Sequence, residues 1–564
     1  MNEVIERVET CEPLWLKSYP PGIGWGFASE PAPLWTLLDA AAAAFPDRRF
    51  IDFLDKAWTY GEVARLVDRA AAGFQRIGVR AGTRVGLLLP NCPYFVIAYF
   101  AVLKAGGTVV NYNPLYAPPE IERQVVDSGT TIMVTLDLKQ LLPKLDGLIG
   151  RTPLETVVVA RLADALPFPK NLFYPWVKRS EIARFDGGAG NLGFHELILG
   201  SAAPEPVRVE PERDVAVLQY TGGTTGVPKA AALTHAALLS NARQLVAWNR
   251  LAHPEGERVL GVLPLFHVFA LTVVLNYGTA IGAELILLPR FDLAQVLRTI
   301  DRKRPTVMPG VPTLYAAINN HPALHRFDLS SLRLCIAGGA AMPLEVKEQF
   351  ERATGCTVVE GYGLTESPVV TCNPIGGRHK RGSIGLPLPG TALEVVSLED
   401  RTTVLGPGET GEICVRAPQT MTGYLSRAGA EDEALRAGRL HTGDIGYLDD
   451  EGYGFVVDRL KDVIICGGFN VYPRTVEEAL YQHPAVAEAA VVGVPDAYRG
   501  QTVKAYVVRR GGHQLDAPAL LAFLKERLSP IEMPKVVEFR NALPKSAVGK
   551  ILKRELLAAG EAPG

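Results

Sequence analysis

Helical and strand patterns alternate along most of the 564 residues, and this alternation limits the fold more than any other feature. Residues 62–78, EVARLVDRAAAGFQRIG, place apolar side chains on one helical stripe that ends at a glycine. TRVGLLLPN follows at 83–91, a short apolar run that is typical of a strand buried in a parallel sheet. The same alternation returns through 94–136 and again through 235–355. It predicts an α/β fold of parallel sheets with helices on both faces.

The chain is too long for one core, because single cores stop growing at roughly 250–300 residues. From about residue 385 to 458, short alternating runs separated by Gly and Pro predict an antiparallel β subdomain. The remaining 462–564 mix helix and strand patterns over a length that commonly folds alone. We therefore expect a large N-terminal domain of stacked α/β sheets over 1–458, a hinge over 459–461, and a small mobile α+β domain over 462–564.

Charge and cysteine usage exclude several classes of protein. The net charge is −2 and no basic patch stands out, which argues against a nucleic-acid partner. Seven scattered cysteines without a CxxC pair indicate a reducing compartment and argue against disulfides or structural zinc. The N-terminal MNEVIERVETCEP has no apolar core and is not a signal peptide. These features predict a cytoplasmic protein, and they leave a homodimer open.

Two segments raise the question of a membrane. Residues 269–289 are apolar, but polar and glycine residues interrupt them, so they predict a buried helix followed by a buried strand rather than a transmembrane span. Residues 165–200 mix aromatics, prolines and basic residues, a composition found at membrane–water interfaces. The alternative for 165–200 is a surface excursion packed on the body of the protein. The sequence therefore leaves open whether residues 165–200 contact the cytoplasmic membrane face or only pack on the protein.

Residues 220–235, YTGGTTGVPKAAALTH, follow the strand pattern VAVLQY and predict a phosphate-binding loop. Glycines let backbone N–H groups turn toward an anion, while threonine hydroxyls and a lysine add donors and charge. The Walker A pattern is absent, so the loop is expected to hold ATP for chemistry other than ordinary γ-phosphoryl transfer. The alternative is a merely flexible loop. The residues concerned are Thr221, Gly222, Gly223, Thr224, Thr225, Gly226 and Lys229.

Six further motifs follow in order: IAGGAAMP (336–343), EGYGLTES (360–367), GSIGLPLPG (382–390), HTGD (441–444), DRLKDVIICGGFNVYP (458–473) and PKSAVGKIL (544–552). In this order and spacing they resemble the acyl-adenylate-forming enzymes, and the resemblance covers nearly the whole chain. NYNPLYAPPEIERQVVDSG (111–129) and LPLFHVFAL (263–271) look most like the bacterial long-chain fatty acid–CoA ligases within that group.

This resemblance implies a reaction in two steps. A carboxylate and ATP give acyl-AMP and pyrophosphate, and the thiol of coenzyme A then gives acyl-CoA and AMP. The implied small molecules are a medium-to-long-chain fatty acid, ATP, Mg²⁺ and coenzyme A. Three alternatives stay open: a fatty acyl-AMP ligase that serves a carrier-protein thiol, an aryl- or short-chain CoA ligase, and a catalytically silent lipid-binding protein.

The resemblance also implies roles for the nucleotide site. Glu366 and Thr221 would hold Mg²⁺, which prefers hard oxygen ligands and keeps several waters. Tyr362 would stack on adenine, and Asp444 would accept hydrogen bonds from the ribose hydroxyls with Arg459 as a second contact. The full nucleotide set is Gly338, Gly339, Ala340, Gly361, Tyr362, Gly363, Thr365, Asp444 and Arg459.

The remaining implied roles concern the reacting groups and the second step. Lys550 would lie between the substrate carboxylate and the α-phosphate, two like charges that must meet at about 3 Å. Lys461 would be the hinge residue, and Gly467 and Gly468 would guide the pantetheine arm after domain rotation. His267 would lie at the wall of an apolar acyl tunnel with Val268, Phe269, Leu271 and Val311. The implied catalytic set is Lys550, Lys229, Glu366 and His267.

One residue departs from the family pattern. The glycine that usually follows the loop lysine is Ala230 here. An added methyl group could tighten the strand that carries Lys229, so some loss of activity is an open expectation.

Overall fold

The protein was analysed as a computed structural model that describes residues 13–27, 29–185, 187–188, 190–200, 203–221, 228–249, 256–425, 434–467, 469–496, 498–547 and 549–558. The α/β class predicted from the sequence is confirmed: two mainly parallel sheets with helices, an antiparallel β subdomain and a smaller α+β C-terminal part follow one another along the chain.

Two mainly parallel sheets form the large part of the molecule. One runs from edge to edge through Leu386–Pro387, Thr371–Cys372, Thr357–Tyr362, Leu334–Ala337, Val307–Gly310, Arg258–Gly261, Glu284–Leu287, Arg49–Phe53 and Lys56–Thr59. The other runs through Asn191–Gly193, Thr156–Ala160, Ile132–Leu136, Arg84–Leu88, Thr108–Asn111, Val215–Tyr220 and Ala230–Thr234. The interior strand pairs are parallel and the antiparallel pairs lie at the sheet edges.

The two remaining sheets are mostly antiparallel. The β subdomain contains Ala392–Val396, Gly411–Arg416, Leu435–Arg436, Arg439–Leu448 and Gly454–Arg459. The C-terminal part contains Ile464–Cys466, Phe469–Val471, Val486–Asp496 and Gly500–Arg509, with Val536–Arg540 added in parallel.

The helices pack mainly against these sheets. Their bounds are Thr36–Ala44, Tyr60–Arg76, Pro93–Lys104, Pro118–Ser128, Lys170–Val177, Phe194–Ile198, His235–Trp248, Leu293–Lys303, Pro312–Asn319, Leu344–Thr354, Pro473–Tyr481, Ala517–Lys525 and Lys553–Ala558.

The apolar stretch 269–289 is a buried helix followed by a buried strand, as predicted. The helix runs as Val268–Ala270, Leu271–Asn276 and Tyr277–Ala280, and its middle part has π-helical geometry. The strand Glu284–Leu287 lies in the first sheet. Over the part of the chain that the structure describes, no helix is long and apolar enough to cross a membrane.

Two cores are separate in sequence. The large core gathers buried side chains from Trp15 to Tyr453, whereas a second core runs from Ile464 to Leu528. The strands Leu334–Ala337 and Thr357–Tyr362 are parallel neighbours, so their carboxyl ends meet at one edge of the first sheet. In open parallel sheets this edge is where ligands bind, and the motifs IAGGAAMP and EGYGLTES both lie there.

Candidate active site

The phosphate-loop motif connects two antiparallel strands of the second sheet. Thr221 donates its backbone N–H to the carbonyl of Lys229 at 2.8 Å, which closes the two ends of the loop as a hairpin. The strand Ala230–Thr234 begins directly after Lys229 and pairs with Val215–Tyr220. Thr221 and Lys229 therefore stand at the base of the loop. The predicted residues Gly222, Gly223, Thr224, Thr225 and Gly226 lie outside the described residues.

Tyr424 connects the loop lysine to the predicted metal-binding carboxylate. The Lys229 ammonium lies 4.8 Å from the centre of the Tyr424 ring, within the range of a cation–π contact. The Tyr424 hydroxyl donates a hydrogen bond to Glu366 Oε1. The backbone beside Tyr424 pairs with the strand Ala230–Thr234, since Ala232 donates its N–H to the Gly423 carbonyl at 2.9 Å. Lys229 and Glu366 are thus held together through a residue that the sequence analysis did not single out.

Two glycine-rich turns form a narrow slot at the carboxyl ends of the strands Leu334–Ala337 and Thr357–Tyr362. A Cβ on Gly338 would lie 3.0 Å from the Phe269 ring and 3.3 Å from the Gly361 carbonyl oxygen. A Cβ on Gly363 would lie 1.8 Å from the Pro368 carbonyl oxygen, so that turn requires glycine. The predicted residues around the slot therefore come together, with Gly339 and Ala340 following Gly338 and Thr365 following Gly363 in the two turns.

Asp444 is the centre of a hydrogen-bonded group between the first sheet, which carries Tyr362, and the β subdomain, which carries Asp444 and Arg459. The Tyr362 hydroxyl donates to Asp444 Oδ2 at 2.7 Å, and Arg459 Nε lies 3.2 Å from Asp444 Oδ1. Burial, followed by the charge of Asp444, raises the pKa of Tyr362, so its hydroxyl keeps the proton that it donates. Each carboxylate oxygen has further lone pairs, which lets ribose hydroxyls share Asp444 with these two partners.

A buried carboxylate holds the turn that carries Asp444. Glu412 has no exposed surface, and both of its oxygens contact Arg401 at 2.9 Å. Glu412 also lies 2.9 Å from His441 Nδ1 and accepts the Gly443 N–H at 3.1 Å. With Cys414 these side chains bring metal-type ligand atoms within 4.8 Å of one another. Since Arg401 already neutralises Glu412 there, the group fits a structural ion pair better than a cation site.

The loop of Lys550 lies against the large part of the molecule. Thr313, in the helix Pro312–Asn319, donates its hydroxyl to the Gly549 carbonyl at 3.2 Å. Within the loop, Ser546 donates its N–H to the Lys550 carbonyl at 2.8 Å. Burial first, and then the positive charge of Arg459, lowers the pKa of Lys550 to about 8. The structure therefore brings Lys550 into one charged group with Arg459 and Asp444.

His267 lies close enough to Lys550 for the Lys550 charge to act on it. Burial, with a smaller effect from the Lys550 charge, lowers the pKa of His267 to about 4, so the imidazole is neutral at pH 7. Its Nδ1 is buried and has no hydrogen-bond partner in the described part of the chain. The loop before it is fixed, because Gln219 donates to the Phe266 carbonyl at 2.9 Å and Asn91 accepts the Leu265 N–H at 2.7 Å.

The expected tunnel residues are apolar, and two of them, Phe269 and Val311, approach the glycine turns of the site. Val268, Leu271 and Val311 are buried, and Phe269 is partly buried against the core. A Cβ on Gly549 would lie 3.2 Å from the Val311 side chain, so Val311 reaches the Lys550 loop.

The predicted hinge residue Lys461 interacts with the charged groups of the site, whereas the GGFNVYP loop contacts the segment at Arg499. Burial, followed by Arg459, lowers the pKa of Lys461. Gly467 has a φ of +60° and donates its N–H to the Arg499 carbonyl at 2.8 Å. Next to it, Ile465 and Phe469 expose 58% and 64% of their surface. Gly468 lies outside the described residues.

Comparisons with known proteins show the family of this chain. The AMP-binding enzyme family matches residues 38–425, and the AMP-binding enzyme C-terminal domain matches 475–550. The long-chain-fatty-acid–CoA ligase of Bacillus subtilis (strain 168) is 44% identical over 547 residues, 96% of this chain and 97% of that protein. The long-chain-fatty-acid–CoA ligase of Escherichia coli O157:H7 is 38% identical, with coverage of 96% and 97%.

The fold is also found among solved structures. The anthranilate CoA ligase AuaEII in complex with anthranoyl-AMP matches with a TM-score of 0.84 at 27% identity. The match covers 95% of this chain and 98% of that one.

Proposed function

The chain belongs to the AMP-binding enzyme family, and from this premise we propose that it joins a medium-to-long-chain fatty acid to coenzyme A in an ATP-dependent reaction. Acyl-AMP forms first with release of pyrophosphate, and the thiol of coenzyme A then displaces AMP. The observation that carries the proposal is that Lys550, Asp444, Arg459 and His267, which are far apart in sequence, come together at one site. The long-chain ligase names of relatives that match nearly the full chain support the substrate class.

In the first step the protein positions two anions and offsets their repulsion. Lys229 and Thr221 lie at the base of the phosphate loop, where they contact the departing pyrophosphate. Lys550 supplies positive charge where the carboxylate approaches the α-phosphate. Tyr362, Asp444 and the glycine slot orient the nucleoside. Most of the rate enhancement then comes from charge and positioning rather than from a covalent enzyme intermediate.

Mg²⁺ fits the carboxylate at Glu366. Because Tyr424 occupies Oε1, the second carboxylate oxygen stays available to a hard cation, with the Thr221 hydroxyl as a further oxygen donor. A bound Mg²⁺ would neutralise phosphate charge, and Tyr424 and the Met421 N–H, which donates to the Glu366 carbonyl at 2.8 Å, would orient the residue.

The wall formed by His267, Val268, Phe269, Leu271 and Val311 selects the acid. A buried methylene contributes about 0.8 kcal/mol, so an apolar tunnel favours longer aliphatic chains. A neutral His267 adds a polar atom without a second positive charge.

For the second step we propose the division 1–458, 459–461 and 462–564, in which the small domain rotates about Lys461. The separate core that begins at Ile464 supports this division. Around Gly467, the side chains of Ile465, Phe469 and Tyr498 are exposed, Tyr498 to 94%. An apolar surface of this kind suits the loop that turns to the large domain when the Lys550 loop leaves and coenzyme A enters.

We propose a cytoplasmic location for the protein. A cytoplasmic location is consistent with the described cysteines, which are buried and free. Peripheral contact with the membrane is part of the proposal, and a homodimer stays a prediction for sedimentation analysis.

Pyrophosphate release with ATP and Mg²⁺, measured across fatty acids from butyrate to eicosanoate and with benzoate, tests the function. We expect turnover that needs coenzyme A and peaks at long chains, and a Lys550→Ala variant that loses this turnover. A single burst without turnover on coenzyme A would instead identify an acyl-AMP ligase. A benzoate maximum would identify an aryl ligase, and no release with any acid would contradict an enzymatic function.

A further inference from the structure

The helix Lys170–Val177 presents apolar side chains to solvent. Trp176 exposes 84% of its surface, Phe173 62% and Leu172 57%, and the flanking Phe168 and Val177 expose 79% and 74%. No residue of this helix is buried. Exposed apolar side chains are normally scattered singly, and a contiguous cluster marks an interaction surface.

A cavity of about 550 Å³ separates the helix from the body of the protein. Phe173 and Val177 line it from the helix side, and Leu54, Leu166 and Leu288 line it from the body. The inner face of the helix is therefore not closed by packing. The apolar surface continues from solvent into the cavity, which has the volume of a small-molecule site.

The same surface carries an excess of positive charge. Residues 165–181 contain three basic residues, Lys170, Lys178 and Arg179, and one acidic residue, Glu181, which pairs with Lys178 at 2.5 Å. The cavity walls combine five basic with two acidic side chains: Lys170, Lys178, Arg298, Arg302, Lys303, Asp52 and Asp55. The acids pair locally, for example Asp55 with Lys170 and Lys303 at 3.1 Å each, which leaves a net positive rim.

The positive charge of this surface distinguishes between two partners, a second copy of this chain and a lipid bilayer. In a two-fold contact between copies of this chain, this basic face would meet its own equivalent and repel it. An anionic bilayer offers the opposite charge in its headgroups and an apolar layer beneath them. Trp and Phe beside Lys and Arg are the residues that anchor proteins at that boundary.

We propose that the surface formed by Phe168, Leu172, Phe173, Trp176, Val177, Lys178 and Arg179 docks on an anionic lipid bilayer. The aromatic and aliphatic side chains lie below the headgroups, and the basic side chains contact the phosphates. The peripheral membrane contact of the proposed function is then made by this surface and needs anionic lipids.

The position of the surface connects docking to the reaction. The cavity is lined by Leu54 and Leu288, which directly follow the strands Arg49–Phe53 and Glu284–Leu287. These strands are parallel neighbours in the first sheet, and Gly338 follows another strand of that sheet in the same direction. The docking surface and the catalytic site therefore both lie at the carboxyl ends of the strands of this sheet. In the docked protein these strand ends face the fatty acid dissolved in the membrane.

Flotation of the full-length protein with vesicles tests the proposal. We expect binding to phosphatidylcholine vesicles that contain phosphatidylglycerol, and at least ~10-fold weaker binding after Leu172→Glu with Trp176→Glu, since two apolar side chains are lost from the bilayer. Leu115→Glu is the matched control, because Leu115 is a leucine with 74% exposure elsewhere on the chain and its loss should leave binding unchanged. Lys178→Glu with Arg179→Glu should remove the preference for anionic vesicles.

Ligation of octanoate in free solution should be unchanged in all these variants, which separates this proposal from the proposed ligase function. Absence of vesicle binding by the parent protein, or equal binding by the Leu172→Glu, Trp176→Glu variant, would overturn the docking site. If that variant turned a dimer into a monomer in sedimentation and left vesicle binding unchanged, the surface would be a subunit interface and the proposal would be wrong.

Discussion

Asp458 accepts the backbone N–H of Arg474 at 2.8 Å, across the segment predicted to be the hinge. Arg474 lies in the first turn of the helix Pro473–Tyr481, where N–H groups lack partners within the helix. Asp458 belongs to the strand Gly454–Arg459 of the β subdomain. One carboxylate of the β subdomain therefore caps a helix that follows the predicted hinge, in the same arrangement that brings Lys550 close to Arg459 and Asp444.

Asp458→Ala should slow adenylation while leaving thiol transfer unchanged or faster. Loss of a charged cap costs about 1–2 kcal/mol, which corresponds to a roughly 5–30-fold shift away from the arrangement that places Lys550. Single-turnover formation of pyrophosphate and acyl transfer from preformed acyl-AMP measure the two steps separately.

Asp516→Ala is the matched control for that experiment. Asp516 caps the helix Ala517–Lys525, a later helix of the C-terminal part, through the Ala519 N–H at 2.9 Å. The Asp516→Ala variant should lower stability to a similar degree as Asp458→Ala, without changing the ratio of the adenylation rate to the thiol-transfer rate. Equal slowing of both steps by Asp458→Ala would contradict a role in domain alternation.

The sequence predicted the fold because its periodicities are local, and it predicted candidate site residues because their motifs are contiguous. Tyr424, Glu412 and Asp458 were missed for the opposite reason. Each acts on a partner distant in sequence through pairing that only the folded chain brings about, as when Tyr424 reaches Glu366. The π-helical turn Leu271–Asn276 was also missed, since an apolar run shows burial but not hydrogen bonding between residues i and i+5.

Tyr424→Phe should weaken use of ATP with Mg²⁺ and also lower the thermal midpoint, because a hydrogen bond to a charged group is lost. The ring over Lys229 remains, but Glu366 loses a hydrogen bond to a charged group, which is worth about 1.5–3 kcal/mol. We expect kcat/KM for ATP to fall roughly 10–100-fold and the Mg²⁺ concentration needed for half-maximal rate to rise. Tyr447→Phe, which keeps its ring stacked on Phe455, is the control. An unchanged Mg²⁺ requirement in the Tyr424 variant would show that the hydroxyl does not position Glu366.

Adenylation should decline at alkaline pH through Lys550. Its pKa is about 8 before substrate binds, and only the protonated form offsets the negative charges. The kcat/KM for ATP reports the free enzyme, so it should be level below pH 8 and fall about 10-fold for each further pH unit. Pyrophosphate exchange without coenzyme A measures this step alone. Lys550→Arg, which stays charged over the whole range, should lose the decline in whatever activity remains, and a decline of the same midpoint in that variant would assign it to another group.

Ala230→Gly should cost stability without a gain in activity. Ala230 is 2% exposed and packs in an apolar cluster, while its carbonyl accepts the Leu425 N–H at 2.9 Å. Glycine removes that methyl group and loosens a strand, for a loss of about 1 kcal/mol, seen as a lower thermal midpoint. Ala232→Gly, two residues along the same strand and in the same cluster, should lose a similar amount. Since the methyl group faces the core rather than the phosphate loop, the adenylation rate should stay within about two-fold of the parent, and a larger increase would show that the alanine restrains Lys229.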